Sequence, residues 1–345
     1  MILIDSIYIH NSGGRALLEI LINYTQTQQK DSYYFLIDSR LDKFLVNKIP
    51  ADNYKILDAS EKNRRKFYIQ NKIKFTFFVC FSNVPPPITL KRPVIIYFHN
   101  DLILNAKNSN FGLLQRFKFY LKKRYIFFRM NEAYFWVVQS RIMKENLNKY
   151  LRINLSKIYI FPFFEKFSPI PEIRLVPNTF LYVASLSKNK NHKKLIQAFI
   201  EASLKTNKTF TLKLTLTPTE FEKISIETNY KKSNFELINL GVLKKESLIY
   251  YYQEANFLIY PSLKESFGLP LIEATNFSLK IIASDLPYVH EIIKPSLTFD
   301  PYSVESISKS ILKAMETDNL PETKVLVENK LDNFMDFIIS QDVQK

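Results

Sequence analysis

The chain of 345 residues is 46% hydrophobic and carries 48 Lys and Arg against 33 Asp and Glu, a formal net charge of +15. This length suits two domains of ordinary size, each with a sizeable core, and so basic a balance points to an anionic partner: nucleic acid, anionic lipid or a phosphorylated substrate. One cysteine, Cys80, excludes an intrachain disulfide and a thiolate metal cluster, and no apolar run approaches the roughly 20 residues that cross a membrane. High Lys, Ile, Asn and Phe are also what an AT-rich genome produces, which accounts for part of the charge.

The opening MILIDSIYIH is broken by Asp5 and His10 and has no basic leader. It reads as a first strand rather than a secretory signal, and a cytosolic location is expected. In chain order, residues 2–9 form a strand, SGGR a turn and residues 16–25 a helix. Further strands are expected at 34–37, 75–80, 94–98, 135–139 and 157–161. Four prolines between Pro162 and Pro177 mark a linker. Beyond it, strands are expected at 180–184, 211–216, 235–238, 257–259 and 281–283, and helices at 192–203, 244–254, 269–277 and 304–316. Residues 322–339 read as an amphipathic helix packing back across the domains.

Strand–helix alternation implies parallel sheets covered on both faces, and runs such as VIIYF and FLIY have no polar face to offer solvent. The expectation is α/β: two facing Rossmann-like, doubly wound parallel-sheet domains with a cleft between them. The boundaries are 1–165, 166–320 and a C-terminal helix within 321–345. Ligands of such folds sit at the carboxyl ends of the strands.

The stretch YPSLKESFGLPLIEA, residues 260–274, holds two carboxylates around one of only five glycines. Glu265 falls in the loop after a strand, and Gly268 and Pro270 mark the start of the next helix. Glu273 lies about one turn in. The amides of Phe267, Gly268 and Leu269 would point outward with the positive end of the helix behind them, a setting for a diphosphate. The carboxylates would then accept from hydroxyl groups on either side. Taken singly, Glu273 could merely complement the helix dipole and Glu265 could cap the helix.

The whole string decides otherwise. LGVLKKESLIYYYQEANFLIYPSLKESFGLPLIEA, residues 240–274, resembles the signature region of family 4 glycosyltransferases, which have the GT-B fold. Two glutamates with seven residues between them, and S-F-G-L-P inside, match that pattern without a gap. The likeness continues through KIIASDLPYVHEII. FLYVASLSKNKNHKKLIQAF, residues 180–199, resembles the family's first strand–loop–helix of the C-terminal domain. SGGRALLEI, IIYFHND and FWVVQS follow the N-terminal pattern more loosely.

The resemblance implies roles for individual residues. Glu273 would bind the ribose hydroxyls of a nucleotide sugar. Glu265 would contact the transferred sugar near the reacting carbon, and the backbone around Ser266 to Leu269 would bind sugar and phosphate. Lys190 stands where the family places a lysine on the diphosphate, suited to the charge a departing diphosphate gains. An arginine usual five residues earlier is Ser185 here, so the phosphate clamp rests on Lys190, with Lys188 able to assist. Gly13 and Gly14 would let backbone approach the diphosphate or acceptor. His99 would lie near the sugar and the attacking hydroxyl. His192 and His290 read as structural, and His10 as either. The reaction would retain configuration at the anomeric carbon, with no base assigned, no cofactor and no metal.

Residues 113–129, LLQRFKFYLKKRYIFFR, hold six basic residues, six aromatics and no acid. At helical spacing the apolar side chains form an arc centred near Phe117 and Leu121. Lys118, Lys122 and Arg129 flank one edge, with Arg116 and Lys123 on the other and Arg124 within the run. That pattern suits a helix lying on an anionic membrane surface. It equally suits a core helix with solvated flanks, because a buried arc and an inserted arc look alike in sequence.

These readings converge on transfer of a hexosyl unit from a UDP- or GDP-linked sugar to a lipid-linked glycan acceptor in bacterial surface polysaccharide synthesis (O-antigen, capsule or lipopolysaccharide). The protein would be peripheral on the inner face of the cell membrane and bind no nucleic acid. The rivals are a GT-B-fold nucleotide-sugar epimerase, a non-catalytic partner subunit and a non-catalytic polyanion-binding protein. The last would explain the charge but neither the glutamate pair nor the glycine placement.

Overall fold

The strands FFVC, VIIY and FWVV are apolar at every position and buried almost throughout, as inner strands covered on both faces must be. In the computed structural model, which describes residues 1–28, 32–104, 112–230 and 235–343, they lie inside a seven-stranded parallel sheet. The chain divides into two units. Unit 1 is Met1–Phe164 with Glu328–Lys345, and unit 2 is Glu165–Val327.

Unit 1 contains β1 (Ile2–Asp5), α1 (Ser12–Gln28), β2 (Tyr33–Asp38), α2 (Lys43–Val46), β3 (Tyr54–Leu57), α3 (Glu61–Asn71), β4 (Phe77–Cys80), β5 (Val94–Tyr97), α4 (Leu113–Arg129), β6 (Phe135–Val138), α5 (Arg141–Leu151) and β7 (Ile158–Ile160). Its strand order is β3-β2-β1-β4-β5-β6-β7. β1 pairs in parallel with both β2 and β4, so the order reverses between β1 and β4, where such folds open a crevice for ligands.

Unit 2 repeats the plan with β8 (Thr179–Tyr182), α6 (His192–Ser203), β9 (Thr211–Leu214), α7 (Pro218–Thr228), β10 (Glu236–Asn239), α8 (Lys245–Glu254), β11 (Phe257–Tyr260), α9 (Leu269–Thr275), β12 (Lys280–Ser284), α10 (Pro287–Ile292), β13 (Ile293–Lys294), β14 (Leu297–Phe299), α11 (Val304–Glu316) and β15 (Lys324–Val325). The order β10-β9-β8-β11-β12-β14 puts the equivalent reversal between β8 and β11.

The end of the chain differs from the expected single helix over 322–339. Lys324–Val325 pairs antiparallel with Ile293–Lys294, and α12 (Leu331–Val343) begins only after Asn329, whose side chain accepts from the Leu331 N–H at 3.1 Å. An asparagine there ends the extended run and satisfies a first-turn amide. The polar helix α3 and the half-exposed strand β3 also escaped the sequence reading. α3 is held by Phe67, Tyr68 and a fully buried Arg64 rather than by an apolar stripe.

α12 completes the core of unit 1. Phe334 is fully buried, with its ring centroid 5.5 Å from that of Tyr97 and 5.8 Å from that of Phe163. Phe337 lies 4.5 Å from Tyr159. Truncating Phe334→Ala leaves a cavity and should cost unit 1 about 3–4 kcal/mol. The one tryptophan, Trp136, is buried in β6, so the midpoint of its fluorescence change in denaturant reads this loss in unit 1 alone.

Candidate functional site

Two loops leave the carboxyl ends of the paired strands β8 and β11 in unit 2, and Asn189 ties them together. Its carbonyl accepts from the Leu263 N–H at 2.7 Å, and its Nδ2 donates to the Lys264 carbonyl at 3.1 Å. The clip brings Lys190 Nζ to 2.5 Å from Glu265 Oε1, with both side chains mostly buried at 18% and 13% exposure. Lys190 Nζ also lies 5.7 Å from the centre of the Tyr260 ring.

Buried tyrosines brace the floor. Tyr182 Oη donates to the Lys190 carbonyl at 2.7 Å and lies 3.2 Å from Ser262 Oγ, while Tyr288 Oη donates to the Ser262 carbonyl at 2.7 Å. Asn191, in the left-handed region at φ 59°, donates from Nδ2 to the Pro301 carbonyl at 2.8 Å. Of the residues named from sequence, the structure brings Lys190 and Glu265 together and places Glu273 on Tyr252; the sequence reading did not single out Asn189, Tyr182, Ser262 or Tyr288. The only signal for them was position, next to motif residues in short loops.

Gly268 has φ 91°, and a Cβ there would meet Leu271 Cδ1 at 3.2 Å, so both backbone and space ask for glycine. α9 is only seven residues long, too short to bring a long helix dipole to this turn. Phe267 is buried beneath it and Ser266 and Leu269 are half-buried. One turn into α9, Glu273 Oε2 accepts from Tyr252 Oη at 2.8 Å. Burial pushes the Glu273 carboxyl up to about 7, opposed by the Tyr252 hydrogen bond and reinforced by Glu165. Ser185 and Lys188 are exposed.

In unit 1, Gly13 and Gly14 lie inside the first turn of α1, not in a turn before a helix starting at residue 16. A Cβ on Gly14 would stand 3.2 Å from His99 Nε2 and 3.2 Å from Ile9 Cδ1. The His99 N–H donates to Asn83 Oδ1 at 2.7 Å, which turns the Asn83 NH2 toward His99 Nε2 at 3.2 Å. Nε2 therefore accepts, and the ring proton is assigned to Nδ1. Burial, aided by Lys122, holds the ring down to about 3, so His99 is neutral. His192 is buried against the Tyr182 ring at 4.8 Å and held down to about 3 by burial and Lys190. His290 lies 2.6 Å from Asp285 Oδ1. His10 is half-buried.

α4 turns its apolar arc outward. Leu113 and Phe128 are 84% and 80% exposed, and Leu114, Phe117, Tyr120, Leu121 and Phe127 are all at least half exposed. Ile126 is the one buried side chain of the helix. Lys118 and Arg124 are exposed beside the arc and Arg116 half-buried. Lys123, Arg129 and Lys122, expected on the outer flanks, point into unit 1 instead. Lys123 Nζ donates to the Leu104 carbonyl at 3.2 Å, Arg129 Nε to the Pro86 carbonyl at 3.1 Å, and Lys122 Nζ lies 5.8 Å from the centre of the Tyr8 ring. Lys122 sits roughly opposite the outer arc at helical spacing and Lys123 and Arg129 on its two flanks, where a ring and backbone carbonyls meet them.

Among the described residues, no group of three or more His, Cys, Asp or Glu is placed to hold a metal ion, and no helix is long and apolar enough to cross a membrane.

Two Rossmann-type parallel sheets, with a lysine–glutamate pair beside a glycine-turned helix start, define an α/β protein of the GT-B class. Residues 163–330 match the family described as Glycosyl transferases group 1. A curated relative, O-antigen chain mannosyltransferase B of Escherichia coli, is 28% identical over 144 residues, which are 41% of this chain and 38% of that protein. The chain thus aligns with well under half of that relative's length. Among solved structures, Anabaena HepE in complex with UDP and glucose gives a TM-score of 0.70 at 12% identity, covering 91% of this chain and 89% of that one. WaaG, a glycosyltransferase involved in lipopolysaccharide biosynthesis, gives 0.64 at 14% identity, covering 92% and 91%. At these identities the likeness is one of fold.

Glu273 makes the site measurable before any ligand is added. Its folded pKa lies above the ordinary value of 4.5, so the native state binds a proton that the unfolded chain has lost. Stability from this group is therefore present at low pH and lost as pH rises from about 4.5 through about 7. Glu273→Gln should match the wild type at pH 5 and exceed it by about 1–2 kcal/mol at pH 8. Paired thermal melts across that range read the difference.

Proposed function

We propose that the chain is a retaining glycosyltransferase that moves a hexosyl unit from a UDP- or GDP-linked sugar to a hydroxyl of a glycan acceptor in bacterial surface polysaccharide synthesis. The Lys190–Glu265 pair carries the reading. It joins one cation and one carboxylate at the carboxyl ends of the two strands where the unit 2 sheet reverses order. The family match over residues 163–330 and the O-antigen relative support the class and the pathway. That relative's sugar makes mannose the first donor sugar to try.

In this reading the ion pair is the resting state, which keeps both groups in place without a ligand. A bound donor exchanges it for two new contacts. Lys190 turns to the diphosphate, whose charge grows as the sugar departs, and Glu265 accepts from the sugar hydroxyls. Backbone around Ser266 to Leu269 contacts sugar and phosphate, with Ser185 at the rim. Glu273, ionised, takes both ribose hydroxyls. The acceptor oxygen bonds to the anomeric carbon on the face the phosphate leaves, and the departing phosphate oxygen takes the acceptor proton. His99, neutral with its proton on Nδ1, is suited to donate a hydrogen bond to a hydroxyl rather than to supply positive charge. Residues 1–165, with Gly13 and Gly14, would bind the acceptor, and residues 166–320 the nucleotide sugar.

Glu265→Ala should lower kcat by about 100-fold or more with little change in nucleotide affinity, whereas Lys190→Ala should lower kcat to a similar degree and also weaken UDP or GDP binding. Glu273→Ala should instead weaken UDP or GDP binding by about 10- to 100-fold. Transfer from radiolabelled nucleotide sugars, with and without acceptor, separates a transferase from an epimerase, which needs none. Unchanged turnover in all three variants overturns the assignment.

The outward apolar face of α4 supports a peripheral station on the inner membrane face and a lipid-linked acceptor. The protein should co-sediment with phosphatidylglycerol vesicles and less with neutral ones, more weakly at high salt. Phe117→Glu with Phe128→Glu should abolish this while leaving UDP and GDP affinity unchanged.

A further inference from the structure

Residues 250–252 of α8 are three tyrosines in a row, and only the third is buried. Tyr250 is exposed, and Tyr251 is half-buried with the centre of its ring 5.3 Å from Lys213 Nζ. Tyr252 is the one buried side chain of α8. Its ring stacks on that of Phe277 at 5.8 Å and 16°. Phe277 in turn lies 6.3 Å from Phe167. A phenylalanine at 252 would fill this stack equally well, so packing explains the ring and not the hydroxyl. That hydroxyl donates to Glu273 Oε2 at 2.8 Å. Burying a hydroxyl is costly unless it meets an acceptor, and the acceptor it meets belongs to the candidate donor site.

Glu273 has little else to hold it. Among the described residues its Oε1 has no donor, and no cation pairs with it. Lys245, also on α8, is paired with Glu165 instead. The Glu165 carboxylate acts against ionisation of Glu273, as burial does. α9 packs as well on β11 and β15, whose ionisable side chains Tyr260 and Lys324 do not act on Glu273. The hydrogen bond from Tyr252 is the influence that favours the charged form. A glutamate has three rotatable side-chain bonds, and one bond from a fixed ring removes much of that freedom.

We propose that Tyr252 is a positioning residue for the donor's ribose: its hydroxyl fixes the Glu273 carboxylate through Oε2 and leaves Oε1 turned to the ribose hydroxyls. The same bond offsets burial and Glu165, so more of Glu273 is ionised and able to accept at neutral pH. The assignment rests on the transferase reading in that Glu273 is taken to hold the ribose. It adds a residue that acts on the nucleotide without touching it.

Calorimetric titration of the full chain with UDP and with GDP, at pH 6.5 and at pH 9, tests it. Tyr252→Phe should bind the nucleotide that the wild type takes about tenfold more weakly at pH 6.5, the loss expected of one hydrogen bond to a charged group. The deficit should shrink to about threefold or less at pH 9, where Glu273 is ionised in both proteins. The nucleotide's own phosphate titrates alike in both and cancels in the ratio. A purely packing role would give a deficit that pH leaves unchanged. In a Glu273→Ala background, Tyr252→Phe should cost nothing further, because the two act as one unit. At pH 5, where Glu273 is protonated, Tyr252→Phe should melt within about 4 °C of the wild type, which separates lost binding from lost fold. Equal affinity at pH 6.5, a deficit that is the same at both pH values, or one that persists in Glu273→Ala overturns the role of Tyr252 and leaves the transferase reading standing. If neither nucleotide binds the wild type, the transferase reading falls and this assignment with it.

Discussion

The arrangement in unit 2 depends on one asparagine holding two loops at a fixed separation. Asn189 uses backbone and side chain at once, on Leu263 and Lys264, and Ser187 Oγ in turn binds Asn189 Oδ1 at 2.7 Å. Without that clip, Lys190 and Glu265 belong to loops 75 residues apart in sequence. Two exposed partners on independent loops would attract each other only weakly, because side-chain entropy and water oppose them. With the clip and the tyrosine floor, both sit in a partly desolvated setting, where charges act more strongly and need little rearrangement to meet a ligand.

Unit 1 has its own anchor of a different kind. Arg64 is completely buried and spends its donors on Asp5, Glu61 and the carbonyls of Val84 and Pro85. It thus staples the end of β1, helix α3 and the segment after β4. Removing either partner of such a pair strands a charge in the core. The polar helix α3 is in place because of this bond rather than an apolar stripe, and Glu61 at its start then collects the hydroxyls of Tyr8 and Tyr125 from two other segments.

The fold was legible where the physics is local. Continuous apolar runs bounded by turn residues gave the central strands, and amphipathic spacing gave α6 and α11 to the residue. The glutamates and Lys190 were singled out by resemblance, Glu265 and Glu273 in the stretch around Gly268 and Lys190 in the block of residues 180–199. Elements set by distant partners were not: α3 waits on Asp5, β15 on β13, and the tyrosine brace on a tertiary fold. α4 is the instructive case. Its arc was drawn correctly from sequence, but which side faces out is settled by what the neighbouring segments offer. They offer carbonyls and rings to Lys123, Arg129 and Lys122, leaving the phenylalanines outside.

Gly14 is best understood by the volume it leaves vacant. A single methyl there would press on His99 Nε2 and on Ile9 at once. His99 cannot yield alone, because Asn83 grips it twice, by ring and by backbone, and Asn83 itself holds a left-handed backbone at φ 68°. A one-carbon insertion on helix α1 would therefore travel through the imidazole into the segment between β4 and β5. In this crevice the missing side chain acts as a spacer, and shape is transmitted across three strands' ends by steric contact rather than charge.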